Sequence, residues 1–262
     1  HRIVATILLI AVTSTSVSLE SFATDSVEKI QKTEQTIEES ENEREYELNR
    51  ENIIEDLKTE NSTTYDVGNG MQVTEVYGQD IRFKDETGNL QDYDVSLVEV
   101  KDEKSEQGVT LEQYAYENRT GDVKHYFPER LTEDTPILME NEEKQIRIQP
   151  IEIGSQTEES TMLVSKEVQI ETEEITNIYA ENQTLPTTAS YEFEDGKKTY
   201  QYASLEQGIK EQIILSEKPK TNVFVSTLEI PGMTIRKNIL GRGLTIYKDD
   251  EIVAGIHEPN MN

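Results

Sequence analysis

From residue 62 onward, the chain is a succession of short apolar or alternating runs separated by Gly, Pro, Lys or Asp. The clearest alternation lies at 144–149, where polar residues flank Ile146 and Ile148. Successive side chains of a strand point to opposite faces, so this pattern predicts a half-buried antiparallel strand. Similar runs occupy residues 71–76, 80–83, 90–95, 109–116, 123–127, 136–139, 162–170, 175–180, 208–215, 223–228, 244–247 and 252–254.

The segments between these runs support the same interpretation. Residues 85–89 contain Gly88 and predict a turn, and the pair Asp249-Asp250 predicts a hairpin turn between two runs. No helical periodicity longer than about two turns follows residue 62. We therefore predict an all-β fold with an antiparallel, sandwich-like architecture, built as two β units at 62–155 and 156–262. Eight apolar side chains are expected to face inward, namely Ile146, Ile148, Ile213, Leu215, Phe224, Leu228, Leu244 and Ile246.

The N-terminal segment has the features of an export signal. Residues 3–12 form a continuous apolar run, and small residues follow at Ser21 and Ala23. This spacing predicts a signal peptide at 1–23, cleaved after Ala23 to leave a mature start at Thr24. The run is shorter than the ~20 residues that span a bilayer. The mature protein is therefore predicted to be secreted or cell wall-associated, with no membrane partner after cleavage.

Residues 24–61 form an acidic segment with thirteen acidic side chains, five basic ones and no Gly or Pro. So few apolar side chains cannot offset the conformational entropy lost on ordering. We predict that this segment is a disordered or partly helical spacer.

The overall composition excludes several classes of function. The chain has 25 Lys and Arg residues against 53 Asp and Glu residues, which gives a net charge of −28. A surface this acidic repels nucleic acid, so no nucleic-acid partner is expected. The chain has no Cys, which removes disulfides, thiol catalysis and Cys-ligated zinc.

Residues that could bind a metal are scattered along the sequence. His125 and His257 lie far apart and lack the spacing typical of a zinc site. Asp92-x-Asp94 and the acidic pair at 249–250 could contribute to a calcium site, but the sequence has no Asp-x-Asp-x-Asp-Gly loop. We predict no metal site and no cofactor, while calcium binding by the carboxylate clusters stays open.

Candidates for catalysis or sugar binding are equally unspecific. Ser190 and Ser226 lack the context of a nucleophile elbow. The many carboxylates offer dozens of potential glycosidase pairs, so none is singled out. Tyr114, Tyr116 and Tyr126 could stack on sugars, although aromatic residues on strands commonly pack across strands. We predict no catalytic residue and no enzyme activity.

Two sets of motifs follow one another along the chain. The upstream set is Asp80-x-x-Phe83-x-Asp85-x-x-Gly88-Asn89-Leu90-x-Asp92-Tyr93-Asp94, followed by Tyr126-Phe127-Pro128. The downstream set is Gly208-Ile209-Lys210-Glu211-x-Ile213-Ile214-Leu215, Pro219, Asn222-x-Phe224, a Gly243-centred turn with Leu244-x-Ile246, and Ile256-x-x-Pro259-x-Met261. In this order, residues 60–262 resemble the N-terminal β-rich region of secreted Gram-positive wall-associated RHS/YD-repeat proteins. The chain has Arg242-Gly243 where that family often has Asp-Gly, and Leu90 where it often has Trp.

The resemblance implies an exported, non-catalytic N-terminal module of a polymorphic-toxin-like protein that serves display, attachment or assembly. Its expected partners are a downstream segment of the same full-length protein after Asn262 and cell-wall glycan. The strand at 252–256 is expected to leave an edge that the downstream segment covers. The alternative is a secreted carbohydrate-binding or carbohydrate-active β-sandwich protein.

Overall fold

The computed structural model describes residues 3–12, 50–141, 144–153, 160–162, 164–176, 182–193, 196–219, 223–238 and 243–261. These residues contain twenty β-strands, a 3-10 turn at Glu55–Leu57 and no α-helix. None of the helical structure in this part of the chain has the length and apolar character needed to cross a membrane. The predicted all-β class is confirmed.

The strands are numbered in chain order. The first ten are β1 (Ile3–Val12), β2 (Ser62–Gly68), β3 (Met71–Val76), β4 (Arg82–Lys84), β5 (Leu90–Asp92), β6 (Asp94–Glu99), β7 (Tyr114–Thr120), β8 (Lys124–Pro128), β9 (Ile137–Asn141) and β10 (Lys144–Ile153). The second ten are β11 (Ser160–Met162), β12 (Gln169–Thr176), β13 (Asn182–Glu192), β14 (Lys198–Leu205), β15 (Gly208–Leu215), β16 (Val225–Glu229), β17 (Thr234–Lys237), β18 (Leu244–Lys248), β19 (Glu251–Ile256) and β20 (Asn260–Met261).

Two large antiparallel sheets contain most of these strands. The nine-stranded sheet has the order β12-β13-β14-β15-β1-β19-β18-β17, and β20 also pairs with β1. The seven-stranded sheet has the order β11-β10-β9-β8-β7-β6, and β16 also pairs with β10. Two hairpins, β2-β3 and β4-β5, form separate two-stranded sheets. Neither large sheet closes into a barrel, in agreement with the predicted sandwich-like architecture.

The two large sheets bury one face each in a common apolar core. Strand β14 shows the alternation that produces this burial, because Tyr200 and Tyr202 are 2% and 0% exposed while the residues between them are half-buried. The neighbouring β15 buries Ile213 in the same way, and the opposite sheet contributes Phe127 and Met139. Full burial of one large apolar side chain stabilises a fold by ~1.5–3 kcal/mol.

The side chains predicted to face inward divide into two groups. Five of them are fully buried: Ile146, Ile148, Ile213, Leu215 and Ile246. The remaining three, Phe224, Leu228 and Leu244, are half-buried. Phe224 precedes β16, Leu228 lies on β16, and Leu244 is the first residue of β18.

One predicted strand is wrong. Residues 162–170 do not form a single strand, because β11 ends at Met162 and β12 begins only at Gln169. Between them Val164 is exposed, whereas the hydroxyl of Ser165 accepts a hydrogen bond of 2.9 Å from the backbone N–H of Leu131. Residues 164–168 therefore form a connection between the two strands that is anchored through a polar side chain.

Other predicted boundaries shift. The run at 109–116 becomes a strand only from Tyr114, and residues 177–180 of the run at 175–180 lie outside the described residues.

Pro186 lies inside β13 rather than in a connecting segment. Its partner is Thr172, next to a shift in the β12–β13 register. Proline has no N–H for the ladder, and such an irregularity accommodates it.

The predicted hairpin turn between β18 and β19 is confirmed. Asp249 and Asp250 have φ values of 51° and 65°. Two successive residues with positive φ form the tight turn whose twist matches the flanking strands, and Asp tolerates this conformation.

The segment predicted to be a signal peptide contains β1. This strand pairs with β15 along one side and with β19 and β20 along the other. We expect residues 252–256 to leave an open sheet edge. In this structure their strand, β19, pairs with β18 on one side and with β1 on the other. Cleavage after Ala23 stays a prediction.

The predicted spacer lies largely outside the described residues, which begin again at residue 50. Within its last part, the backbone N–H of Ile54 donates to the carbonyl of Thr64 over 2.8 Å. Arg50 pairs with Glu75 at 2.9 Å. Residues 50–61 are therefore attached to the β2-β3 hairpin.

The strands of each large sheet come from both sides of residue 155. Strands β6–β10, before it, belong to the seven-stranded sheet, and β12–β15, after it, belong to the nine-stranded sheet. Strands β11 and β16 also follow residue 155, but they pair with β10 in the seven-stranded sheet. The two sheets share one large core, and the division into units at 62–155 and 156–262 stays a prediction.

We predict that Gly243→Ala destabilises the fold strongly. Gly243 has φ +93°, and an added Cβ would lie 2.1 Å from the carbonyl oxygen of Ile256, so β18 or β19 would have to move. Gly232→Ala is the matched control, since Gly232 also has positive φ, +72°, but has nothing within 4 Å of the added Cβ. In urea unfolding, Gly243→Ala should cost about 1–3 kcal/mol more than Gly232→Ala. Equal losses would contradict the close approach of the two strands.

Candidate functional site

An open cleft lies where the β4-β5 hairpin approaches the turns of the seven-stranded sheet. Its volume is about 780 Å³, within the usual range of ~300–1,000 Å³ for ligand-binding sites. The side chains that shape it come from both sides and include Arg82, Phe83, Tyr93, Asp122, Lys124 and Lys144.

Arg82 holds one side of the cleft in place. Its guanidinium is 2% exposed, and its Nε donates to Oδ1 of Asp92 over 2.8 Å. One Nη donates to the carbonyls of Thr59 and Ser62 at 3.2 and 3.0 Å, and the other to the hydroxyl of Thr63 at 2.8 Å. A guanidinium presents its donors in a fixed plane, so this one side chain sets the β4-β5 hairpin against the start of β2.

The tip of the same hairpin is ordered by Asp85. Its Oδ1 accepts hydrogen bonds from the N–H of Thr87 at 2.9 Å, the hydroxyl of Thr87 at 2.7 Å and the N–H of Asn89 at 2.9 Å. These bonds, led by the Thr87 hydroxyl, lower the pKa of Asp85 to about 2. Gly88 provides the positive φ of 84° that the turn requires. The predicted turn at 85–89 is thus confirmed.

Two aromatic rings line the cleft. The ring centroids of Phe83 and Tyr93 are 5.2 Å apart, with the rings inclined by 40°. The hydroxyl of Tyr93 donates to Oδ1 of Asp122 over 3.1 Å, which ties the hairpin side of the cleft to the β7–β8 turn. Burial and then the charge of Asp122 raise the pKa of Tyr93, so the hydroxyl keeps its proton at neutral pH.

The cleft is lined by six acidic and four basic side chains, several of which are paired. Lys84 pairs with Glu60 at 3.1 Å, and the ammonium of Lys124 donates to Oε2 of Glu117 at 3.4 Å and to the carbonyl of Asn118 at 3.1 Å. Ring faces surrounded by hydrogen-bonding groups suit a polar ligand of low charge. Nowhere in the described part of the chain do three or more His, Asp or Glu side chains form a group that could hold a metal ion.

The two candidate histidines lie in different environments. His125 is on β8 and fully buried, and its Nδ1 is 3.0 Å from the hydroxyl of Ser204 on β14. Burial, followed by the charge of Lys124, lowers the pKa of His125 to about 3, so the ring is neutral. His257 is exposed after β19. His125 therefore links the two sheets inside the core.

The candidate calcium ligands have other partners. Asp92 pairs with Arg82, and Asp94 accepts hydrogen bonds from the N–H and hydroxyl of Ser96 and pairs with Arg119 at 3.1 Å. The pair at 249–250 forms the β18–β19 turn, where Asp250 contacts Arg236 at 2.9 Å. These carboxylates act in ion pairs and turns of separate elements.

The candidate sugar-stacking tyrosines pack within the protein. Tyr114 and Tyr126 meet edge to face with centroids 6.1 Å apart, and the Tyr114 hydroxyl donates to the carbonyl of Pro136 over 3.1 Å. Both rings belong to a small apolar cluster with Leu138, while Tyr116 is half-buried. Cross-strand packing is thus the role of Tyr114 and Tyr126.

The serine candidates also lie apart. Ser190 is buried on β13, whereas Ser226 is exposed on β16, in the other large sheet. The structure does not bring them together.

Sequence reasoning missed one unusual acid, Glu211 on β15. Its side chain is 3% exposed, and it faces Tyr202 in the β14–β15 register. Burial raises the pKa of Glu211 to about 7. The alternation of β15 contains the signal, because Glu211 shares the inward face with Ile209 and Ile213.

Comparison of the chain with protein-family models, curated proteins and solved structures gives no match. The resemblance to RHS/YD-repeat proteins therefore stays a prediction from the sequence motifs.

We predict that Arg82→Lys destabilises the protein by about 2–4 kcal/mol, because an ammonium in this buried position cannot make the four hydrogen bonds of the guanidinium. The matched control is Lys84→Ala on the same hairpin, whose ion pair with Glu60 joins side chains that are 56% and 43% exposed. Its loss should cost less than about 1 kcal/mol. Urea unfolding of the two variants tests this difference, and similar losses would contradict the anchoring role of Arg82.

We predict that Glu211→Gln stabilises the protein above neutral pH. The pKa of Glu211 is about 7 in the folded state against an ordinary value of 4.5. The folded protein therefore retains a proton that the unfolded chain releases, and stability falls as the pH rises from 4.5 to about 7. The full difference amounts to about 3 kcal/mol.

Unfolding from pH 4.5 to 9 covers the range in which Glu211 binds a proton in the folded but not in the unfolded state, and the titration of His125 in the unfolded chain is common to the three proteins and cancels in their comparison. Glu211→Gln should show a smaller loss of stability toward pH 9 than the unsubstituted protein. Glu251→Gln, at an exposed position of β19, is the control and should leave the pH dependence unchanged. If stability varies with pH in the same way in all three proteins, the buried carboxyl of Glu211 is not the cause of the pH dependence.

Proposed function

We propose that this chain is an exported, non-catalytic N-terminal module of a cell-surface or wall-associated protein of RHS/YD-repeat type, and that it serves attachment. The observation that supports this proposal is the cleft beside Arg82. Two of its carboxylates are held in structural contacts, since Asp85 orders a turn and Asp122 accepts the Tyr93 hydroxyl. Such a surface favours holding a ligand over breaking a bond.

The charge of the molecule narrows the choice of ligand. At −28, the protein repels anionic polymers, whereas a neutral glycan carries no such penalty. The cleft lining also combines hydrogen-bonding side chains with the rings of Phe83 and Tyr93. Neutral cell-wall glycan is therefore the attachment partner that we propose.

Cell fractionation and wall binding test this function. The full-length protein should be found outside the membrane with a mature N-terminus at Thr24, and the purified protein should sediment with isolated cell walls. A protein that stays in the cytoplasm with residues 3–12 intact would contradict the proposal. If the protein hydrolyses wall glycan and Asp122→Asn abolishes that activity, its function is catalysis and not attachment.

The ring pair in the cleft favours a second candidate function, glycan binding by a secreted protein acting by itself. Sugars stack their apolar faces on aromatic rings, and Phe83 is half-buried in the cleft wall.

We predict that Phe83→Ala weakens glycan binding about tenfold, because loss of a stacking ring removes on the order of 1 kcal/mol. Glycan-array screening followed by calorimetry on the best ligand measures the change. Tyr247→Ala is the control, since Tyr247 is a half-buried ring on β18, outside the cleft lining. Equal affinities of the two variants would exclude the cleft as the sugar site.

A further inference from the structure

Strand β1 fills a gap in the nine-stranded sheet. It pairs with β15 from Ile3 to Ala11 on one side, and with β19 and β20 on the other. Within the described residues, β1 alone connects β15 to β19. Without it, the sheet divides into β12–β15 and β17–β19, each with an unpaired inner edge.

The two inner edges, which we call the strand slot, are largely apolar where β1 pairs with them, and the polar exceptions are Lys210 and Gln212 of β15. Ile10 lies between Ile209 of β15 and Ile256 of β19, and Ala11 has a glycine as its partner on each side. On the β15 side, Ile3 and Val4 pair with Leu215 and Ile214. The ten-residue sequence of β1 contains no charged side chain.

The outer edges of the same sheet have the opposite character. Strand β12 exposes Glu171, Glu173 and Glu174, and β17 exposes Arg236 and Lys237. Charged side chains protect a free sheet edge from pairing with another chain. The charges on the outer edges therefore oppose pairing with another strand, whereas the strand slot has few charges and can accept one.

We propose that, once the leader has been removed, the strand slot binds an extended, uncharged apolar segment of a partner polypeptide in place of β1. This inference rests on the proposed export with cleavage after Ala23. The partner segment would supply N–H and C=O groups to both inner edges, as in β-strand addition. Its length would be about ten residues, with a small residue between Gly208 and Gly255.

A second copy of the chain is a less suitable occupant for two reasons. The segment that fits the slot leaves with the leader, so the mature copies no longer carry it. The net charge of −28 also opposes the close approach of two copies.

The test uses the full chain with its leader retained and a recognition sequence for a specific protease inserted between Ala23 and Thr24. After purification and cleavage, a fluorescent peptide with the sequence of residues 3–12 is added, and gel filtration with mass spectrometry reports which peptide is bound. Two control peptides carry either Ile10→Lys or N-methyl groups that remove backbone donors. The slot predicts that the native peptide replaces the leader one for one, and that each control exchanges at least about tenfold less.

A disulfide provides a matched control on the protein side. Thr6 and Gln212 are direct partners across β1 and β15, so Thr6→Cys with Gln212→Cys places two thiols at a separation suited to a disulfide. The chain has no other Cys. The oxidised double variant should exclude the fluorescent peptide after cleavage, and the reduced form should admit it.

Four results would overturn the proposal. The leader could dissociate without any binding of the added peptide. The peptide could bind the oxidised and reduced forms equally, which indicates adsorption elsewhere. The cleaved chain could dimerise and exclude the peptide, or the leader could resist exchange up to the unfolding temperature. Each of these results is independent of where the protein resides in the cell. If the protein is not exported but the peptide still exchanges, the proposed function is contradicted and the strand slot is not.

Discussion

The burial of one face of each large sheet against the other is the interaction on which the rest of the structure depends. Apolar packing alone is non-directional and would tolerate several alignments of the two sheets. Polar contacts across the core select one of them. The Tyr191 hydroxyl on β13 donates to the carbonyl of Pro128 on β8 over 2.9 Å, and His125 meets Ser204 at 3.0 Å. Breaking either contact would leave a buried polar group without its partner, so these pairs fix the position of one sheet over the other.

The cleft depends on this alignment of the sheets indirectly. Its far side belongs to turns of the seven-stranded sheet, and its near side belongs to the β4-β5 hairpin, which Arg82 fastens to residues 59–63. Its lining has six acidic and four basic side chains, so the cleft is acidic like the rest of a molecule with 53 acidic and 25 basic residues. A neutral polar ligand meets no net repulsion there, so added salt would change its binding little.

Alternation predicted the fold wherever one face of a strand is buried and the other is not, as at Ile146 and Ile148. It fails for β8, where four successive residues from His125 to Pro128 are buried. Phe127 packs in the main core and Tyr126 in the smaller cluster, so both faces of the strand are covered. The cleft escaped prediction for a related reason, since its walls are far apart in the sequence and are joined by side-chain hydrogen bonds from Tyr93 to Asp122 and from Thr120 to the carbonyl of Asp92. Glu211 was accessible to prediction from its place in the β15 alternation.

The apolar run at residues 3–12 illustrates why sequence alone leaves two interpretations of one segment. An export signal needs a short, uncharged apolar stretch that does not span a bilayer. A strand flanked by apolar edges on both sides needs the same composition, and it shows no alternation because polar positions are not required. The pairing of Ile10 with both Ile209 and Ile256 satisfies the second requirement without contradicting the first. Under the proposed export, β1 would cover both inner edges of the strand slot until cleavage, and its removal would leave them free to pair with a partner strand.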